Sequence, residues 1–192
     1  MDAALLAWGR AVKRPGALPP LWFFTDQARL PDPLPVIAQL PRGLCGVVFR
    51  HDGAADRAAL ARRAAALCRA RRLILVVAGD ARLAAALRAG LHLRGGRRGV
   101  LPLPGIVTSS AHTASDVARA RRAGADIIFI SPAFATKSHI GAQGLGMLGW
   151  RRLARLAGPA RCAALGGITG RSVRSLRKIC AMAGAIEAFI PD

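Results

Sequence analysis

Acidic residues are scarce in this chain: ten stand against 29 lysines and arginines in 192 residues, a formal net charge of +19. So basic a chain suits phosphorylated substrates, an anionic surface or nucleic acid. Aromatic residues are also few, at 5% with no tyrosine. Without aromatics interleaved among the basic residues, nucleic acid is the weaker of these expectations. The arginines are scattered (Arg57, Arg62, Arg63, Arg97, Arg98, Arg151, Arg174 and others) and read mainly as solvated faces. The four cysteines, at 45, 68, 162 and 180, form no C-x-x-C, and no histidine stands near them at metal-ligand spacing. Reduced, structural thiols are expected. No apolar run approaches the ~20 residues needed to span a bilayer. At the N-terminus Asp2 precedes an apolar stretch and Arg10, Lys13 and Arg14 follow it, the reverse of a secretory signal, so a cytoplasmic location without membrane attachment is expected.

What is present is a repeated pattern. Residues 3 to 14 form an amphipathic helical extension ended by Pro15-Gly16 and Pro19-Pro20, so residues 1–20 read as an extension and 21–192 as one domain. Apolar runs suited to buried strands follow at Leu21–Asp26, Gly46–His51, Leu73–Ala78, Leu91–Leu93, Gly105–Ala111, Asp126–Ile130, Cys162–Ile168 and Ala185–Ile190. Helical segments alternate with them. One is capped by Asp56 and runs to Arg72, and another runs from Thr169 or Ser172 to Ala183. The fourth helix is reduced to the proline-rich Val100–Pro104, and the eighth is missing. Eight strands alternating with helices predict an α/β fold, a small (β/α)8 barrel. An open Rossmann-type sheet is the runner-up, but no G-x-G-x-x-G follows the first strand. The gap left by the eighth helix calls for a cover, either the N-terminal helix or a neighbouring subunit in a homo-oligomer.

Polar residues collect just past the carboxyl ends of these strands, where a barrel of this kind binds its ligands. They include Asp26; Arg50, His51 and Asp52; Asp80; Ser110 and His112; the loop with Thr136, Lys137, Ser138 and His139; and the Gly166-Gly167 pair. Asp80 is suited equally to capping the next helix and to holding a metal. His112 is suited to acid–base work or to a helix-start hydrogen bond.

The order of Phe24-Thr25-Asp26, Ser110-Ala111-His112-Thr113, Gly124-Ala125-Asp126, Ser131-Pro132-Ala133-Phe134-Ala135-Thr136, Gln143-Gly144-Leu145 and Leu165-Gly166-Gly167-Ile168 resembles the thiamine phosphate synthase and thiazole tautomerase family. That resemblance implies a (β/α)8 barrel that couples hydroxymethylpyrimidine diphosphate to thiazole phosphate, releasing pyrophosphate with the help of Mg2+. It gives Arg50 the diphosphate, Asp80 the metal, and Ser110, Thr136 and Ser138 hydrogen-bond donation. Gly166 and Gly167 would bind the thiazole phosphate through backbone N–H groups. Lys137, His139 and Arg97 would supply shifted cations, Arg97 meeting a phosphate where the family places its second metal aspartate. The sequence departs from the family at Val48 and Asp52 on the second strand, at Gly79 before Asp80, at Arg97, at His139 and at the Pro191-Asp192 end. Two alternatives accompany the synthase reading: a thiazole tautomerase-like isomerase using His112, and a non-catalytic barrel binding an anionic ligand or nucleic acid.

Overall fold

A computed structural model describes residues 1–95, 105–136, 144–176 and 179–191. Helix α1 (Ala3–Val12) leads into alternating elements: β1 (Leu21–Phe24), α2 (Leu34–Gln39), β2 (Cys45–Phe49), α3 (Arg57–Ala70), β3 (Ile74–Ala78), α4 (Ala81–Ala86), β4 (Gly90–Leu93), β5 (Val107–Ala111), α5 (Ala114–Arg122), β6 (Ile127–Ile130), α6 (Gly146–Arg155), β7 (Arg161–Leu165) and β8 (Ala183–Ala185). All strands pair in parallel and in sequence order, and β8 closes on β1 through Leu21↔Ala183 and Phe23↔Ala185. The barrel read from the apolar runs is the fold of the protein, an α/β (TIM-like) architecture. The reduced fourth helix at Val100–Pro104 lies outside the described residues.

Strand alternation sorts the apolar side chains into two cores. One side of each strand faces the helices, where Leu21, Phe23, Val47 and Ile128 join the larger cluster. The other faces the axis, where Trp22, Phe24, Val48, Val76, Ile127, Phe129, Ala163 and Met182 fill the barrel. The two large rings that β1 sends inward need room on both neighbouring strands. A Cβ at Gly46 would lie 2.6 Å from the Trp22 ring, and one at Gly184 would lie 2.7 Å from Phe24. Trp22 and Phe24 both meet Phe129 edge-on, at 5.7 and 4.8 Å between centroids. Such pairs contribute roughly 0.5–1.5 kcal/mol each beyond area burial.

Three expectations need correction. The eighth strand is Ala183–Ala185, not Ala185–Ile190. Ile186 already turns away, and Glu187–Phe189 is a 3-10 turn whose Phe189 packs on Phe23 at 5.5 Å. Ala188 and Phe189 pack in the outer core, Ile186 packs against the axial core at the mouth, and none of them is a ladder position. Hence the strand ends at Ala185, well before Pro191, and among the described residues Glu187 is the carboxylate beside that mouth. After β7, a five-residue 3-10 turn (Ser172–Leu176) stands where a helix running to Ala183 was expected. Asp56 occupies the N-cap of α3 with no side-chain capping bond.

The slot beside β8 is covered by α1, one of the two covers expected. Asp2 caps α1 through Ala4 N and Leu5 N, and it also accepts from Gly170 N at 2.6 Å. Its own N–H donates to Ala188 O at 2.7 Å. Leu5 and Trp8 are buried, and Gly9 lies so close to Leu21 that a Cβ would sit 2.6 Å from it. Among the described residues, no helix is long and apolar enough to cross a membrane. All four cysteines are free, and burial raises the thiols of Cys45, Cys68 and Cys162 to about 12 and Cys180 to about 11. At those values they are protonated and inert, as the sequence leads one to expect.

Candidate active site at the carboxyl end of the barrel

A cavity of about 780 Å³ opens at the C-terminal mouth. Its floor is the top of the axial core: Phe24, with His92 edge-on to it at 5.6 Å. His92 is 4% exposed although it sits between two leucines in a strand that reads as purely apolar. Its Nδ1 bonds Thr108 Oγ1 at 2.8 Å and its Nε2 bonds Ser110 Oγ at 3.1 Å. Burial, with the positive charge of Arg50 adding to it, pushes the imidazole down to about 3. The ring is therefore neutral at working pH, one nitrogen a donor and the other an acceptor. With the Thr108 hydroxyl donating to Nδ1, the Nε2–H donates to Ser110 Oγ. The Ser110 proton is then available to a ligand.

Arg50 follows β2 and crosses over the Phe24 ring, its Cζ 5.5 Å from the centroid. Its Nε donates to Thr25 O at 3.1 Å and its Nη2 to Asp26 Oδ2 at 3.4 Å. Burial lowers its pKa while Asp26 opposes that effect; a guanidinium stays charged throughout. Asp26 caps the turn after β1 through Ala28 N and Arg29 N and pairs with Arg29 at 2.7 Å. Burial works against the charged carboxyl, but these bonds and the two arginines outweigh it and hold the pKa low. Arg29 continues to Glu187 at 3.3 Å, joining the β1 and β8 ends. His51, next to Arg50, is a scaffold residue with no exposure. Its Nε2 donates to Leu30 O, and its Nδ1 accepts from Thr25, whose oxygen accepts from Arg50 N.

Across the mouth the lining is mostly backbone. Gly166 and Gly167 have φ of +89° and +64°, conformations that favour glycine. A Cβ at Gly167 would lie 2.4 Å from Ala135 O. The β6 and β7 loops are stitched there by Ala133 N to Leu165 O and Phe134 N to Gly166 O. Thr136 lines the same wall. His112 Nδ1 donates to Ser131 O at 3.0 Å, which selects the tautomer whose lone pair is on Nε2. The backbone N–H of His112 donates to Asp116, whose carboxylate forms a capping box with Thr113.

The mouth thus brings together Arg50, Ser110, His112, Thr136, Gly166 and Gly167. Arg97, Lys137, Ser138, His139 and Gln143 lie outside the described residues. Asp80 is not among the cavity-lining residues. Its Oδ1 caps α4 through Leu83 N at 2.9 Å, and its Oδ2 pairs with Arg57 at 3.0 Å. Among the described residues magnesium finds no fit: both oxygens of Asp80 are engaged, and no group of three His, Cys, Asp or Glu side chains there is placed to hold a metal. Sequence reasoning missed His92, Arg29, Arg94 and Glu187 as cavity-lining residues. The period-2 alternation of β4 marked His92, because it points to the same face as Thr108 and Ser110 on the next strand.

Comparison with known proteins agrees with this architecture. Residues 32–187 match the family described as thiamine monophosphate synthase. A search of curated proteins finds no significant match. Among solved structures, the chain is similar to a thiamine phosphate pyrophosphorylase from Pyrococcus furiosus, with a TM-score of 0.70, 21% identity, and coverage of 89% of this chain and 86% of that one. A thiamine phosphate pyrophosphorylase from Bacteroides thetaiotaomicron gives a TM-score of 0.57 at 17% identity, over 88% of this chain and 83% of that one. FabK from Thermotoga maritima gives 0.67 at 15% identity, over 90% of this chain and 59% of that one. At such identities the structural likeness speaks for the barrel alone.

Proposed function

The chain belongs to the thiamine monophosphate synthase family, and we propose that it performs that chemistry, coupling a pyrimidine methyl diphosphate to a thiazole phosphate. The thiazole ring nitrogen forms a bond to the pyrimidine methylene. The C–O bond to the diphosphate breaks, and its electron pair leaves on pyrophosphate. Charge therefore develops on the departing oxygen, and preorganised donors aimed there lower the barrier. Arg50 supplies the fixed positive charge, Ser110 a hydroxyl oriented by His92, and Thr136 a second hydroxyl. Gly166 and Gly167 form a wall suited to the other phosphate.

The observation that carries this reading is the convergence of Arg50, Ser110, Thr136 and the glycine pair on one cavity at the catalytic end of the barrel. The test is to incubate the purified protein with both substrates and follow thiamine phosphate by fluorescence after oxidation. Product is expected, and a folded protein giving none removes the assignment. A second reading, proton transfer on a thiazole carboxylate phosphate, is favoured by the His112 ring, held through Nδ1 with its lone pair on Nε2. His112→Ala abolishes an isomerase of that kind; unchanged isomerisation would end this second reading.

A further inference from the structure

The charges around the mouth carry a consequence for how an anion is met there. Of the acidic residues in the loops at this end of the barrel, five are paired with arginine, while Asp32 and Asp56, just before α2 and α3, form no ion pair among the described residues. Asp26 meets Arg29 and Arg50, Glu187 meets Arg29, and Asp116 meets Arg119. Asp52 meets Arg57 and Arg94, while Asp80 meets Arg57. In the sequence, segments 96–104 and 137–143, which lie outside the described residues, hold Arg97, Arg98 and Lys137 and no acidic residue.

Arg57 is the centre of the arrangement. It lies in the first turn of α3, with Nη2 at 3.1 Å from Asp52 Oδ1, Nη1 at 3.0 Å from Asp80 Oδ2, and a further bond from Nη2 to Ala78 O at 2.7 Å. A divalent cation shared by Asp52 and Asp80 would need the oxygens that Arg57 holds. Magnesium demands near-octahedral oxygen ligation, whereas a guanidinium fork matches carboxylates directly. Formal charge closes as well. Asp52 and Asp80 bring two negative charges, and Arg57 and Arg94 bring two positive ones, the charge of one magnesium ion. Arg94 also lines the cavity, so the network presents a cation to whatever binds.

We propose that this pocket binds the diphosphate group of its ligand without a divalent cation, with Arg57 occupying the place between Asp52 and Asp80 and Arg94 facing the anion. The inference rests on the phosphate-binding reading of the pocket. Inorganic pyrophosphate, titrated calorimetrically into the full chain in EDTA and again in excess Mg2+, tests it. Binding is expected in EDTA, and equal or weaker in Mg2+, because the cation sequesters the free anion. Binding seen only with Mg2+ would overturn the inference while leaving the proposed reaction standing. No binding in either buffer would overturn both. Asp80→Asn, which keeps the helix cap, provides an independent readout. If Asp80 serves only Arg57, affinity in Mg2+ stays within about twofold or improves as a negative charge is removed. If it is a metal ligand, affinity in Mg2+ falls about tenfold or more, which is ~1.4 kcal/mol.

Discussion

The two walls of the cavity are built on different principles. The β6–β7 wall is backbone: two glycines at positive φ, a tight pass against Ala135, and loops stitched by main-chain bonds. The side from β8 through β1 to β4 is charge: two chains of ion pairs, Glu187–Arg29–Asp26–Arg50 and Arg94–Asp52–Arg57–Asp80. In the first wall a Cβ at Gly167 has no room, so that position is confined to glycine. The second holds its place by neutralising charge, which several combinations of residues achieve. Asp52, where the sequence departs from the family resemblance, lies on this second side.

The largest expected effect tests the floor between the walls. His92 is held near 3, well below the ~6.5 of an unfolded histidine. Between those values the unfolded chain binds the extra proton, so this contribution is full above about pH 6.5 and is lost as pH falls toward 3. Urea midpoints should therefore drop on acidification through that window, at up to ~1.4 kcal/mol per pH unit, and His92→Gln should flatten the curve. An unchanged slope would mean that the imidazole is not kept neutral by burial.

On the backbone wall, Gly167→Ala forces a Cβ toward Ala135 O in a left-handed conformation. A loss of about 1–3 kcal/mol in stability is expected by denaturant titration, accompanied by weaker phosphate binding that salt does not modulate. On the charged wall, Arg50→Ala should instead leave the fold intact and weaken pyrophosphate binding by roughly 10- to 100-fold, as loss of a charged hydrogen bond implies. The salt dependence of binding should shrink with it. If both variants lost affinity with the same salt dependence, the division between the walls would collapse. The smallest effect belongs to Arg119→Ala, which removes an exposed i,i+3 partner of Asp116 away from the cavity floor. A change of about 0.5 kcal/mol or less is expected in thermal melts.

The strand count, the barrel and the backbone wall were legible because they rest on residue types with narrow uses: apolar runs, glycine pairs and the Phe24-Thr25-Asp26 turn. The end of the chain was misread because Ile186, Phe189 and Ile190 look more strand-like than Ala183-Gly184-Ala185. The smaller residues form the ladder because Gly184 must leave room for Phe24. Arg57 was read as one of many solvated arginines on α3. Only its position at the helix start, over the ends of β2 and β3, distinguishes it. His92 was concealed by leucines on both sides, although every second residue of that strand points inward.

Helix α1 carries one more consequence, for the making of the protein. Its capping residue is bonded to Gly170, 168 positions later, and to Ala188. A ribosome therefore releases this helix long before its docking surface exists. Its apolar face, with Leu5 and Trp8, must wait in water or on a chaperone until the last strands emerge. Contacts so distant in sequence slow folding. Docking of α1 is thus a late event, one that reports that the whole barrel has been assembled.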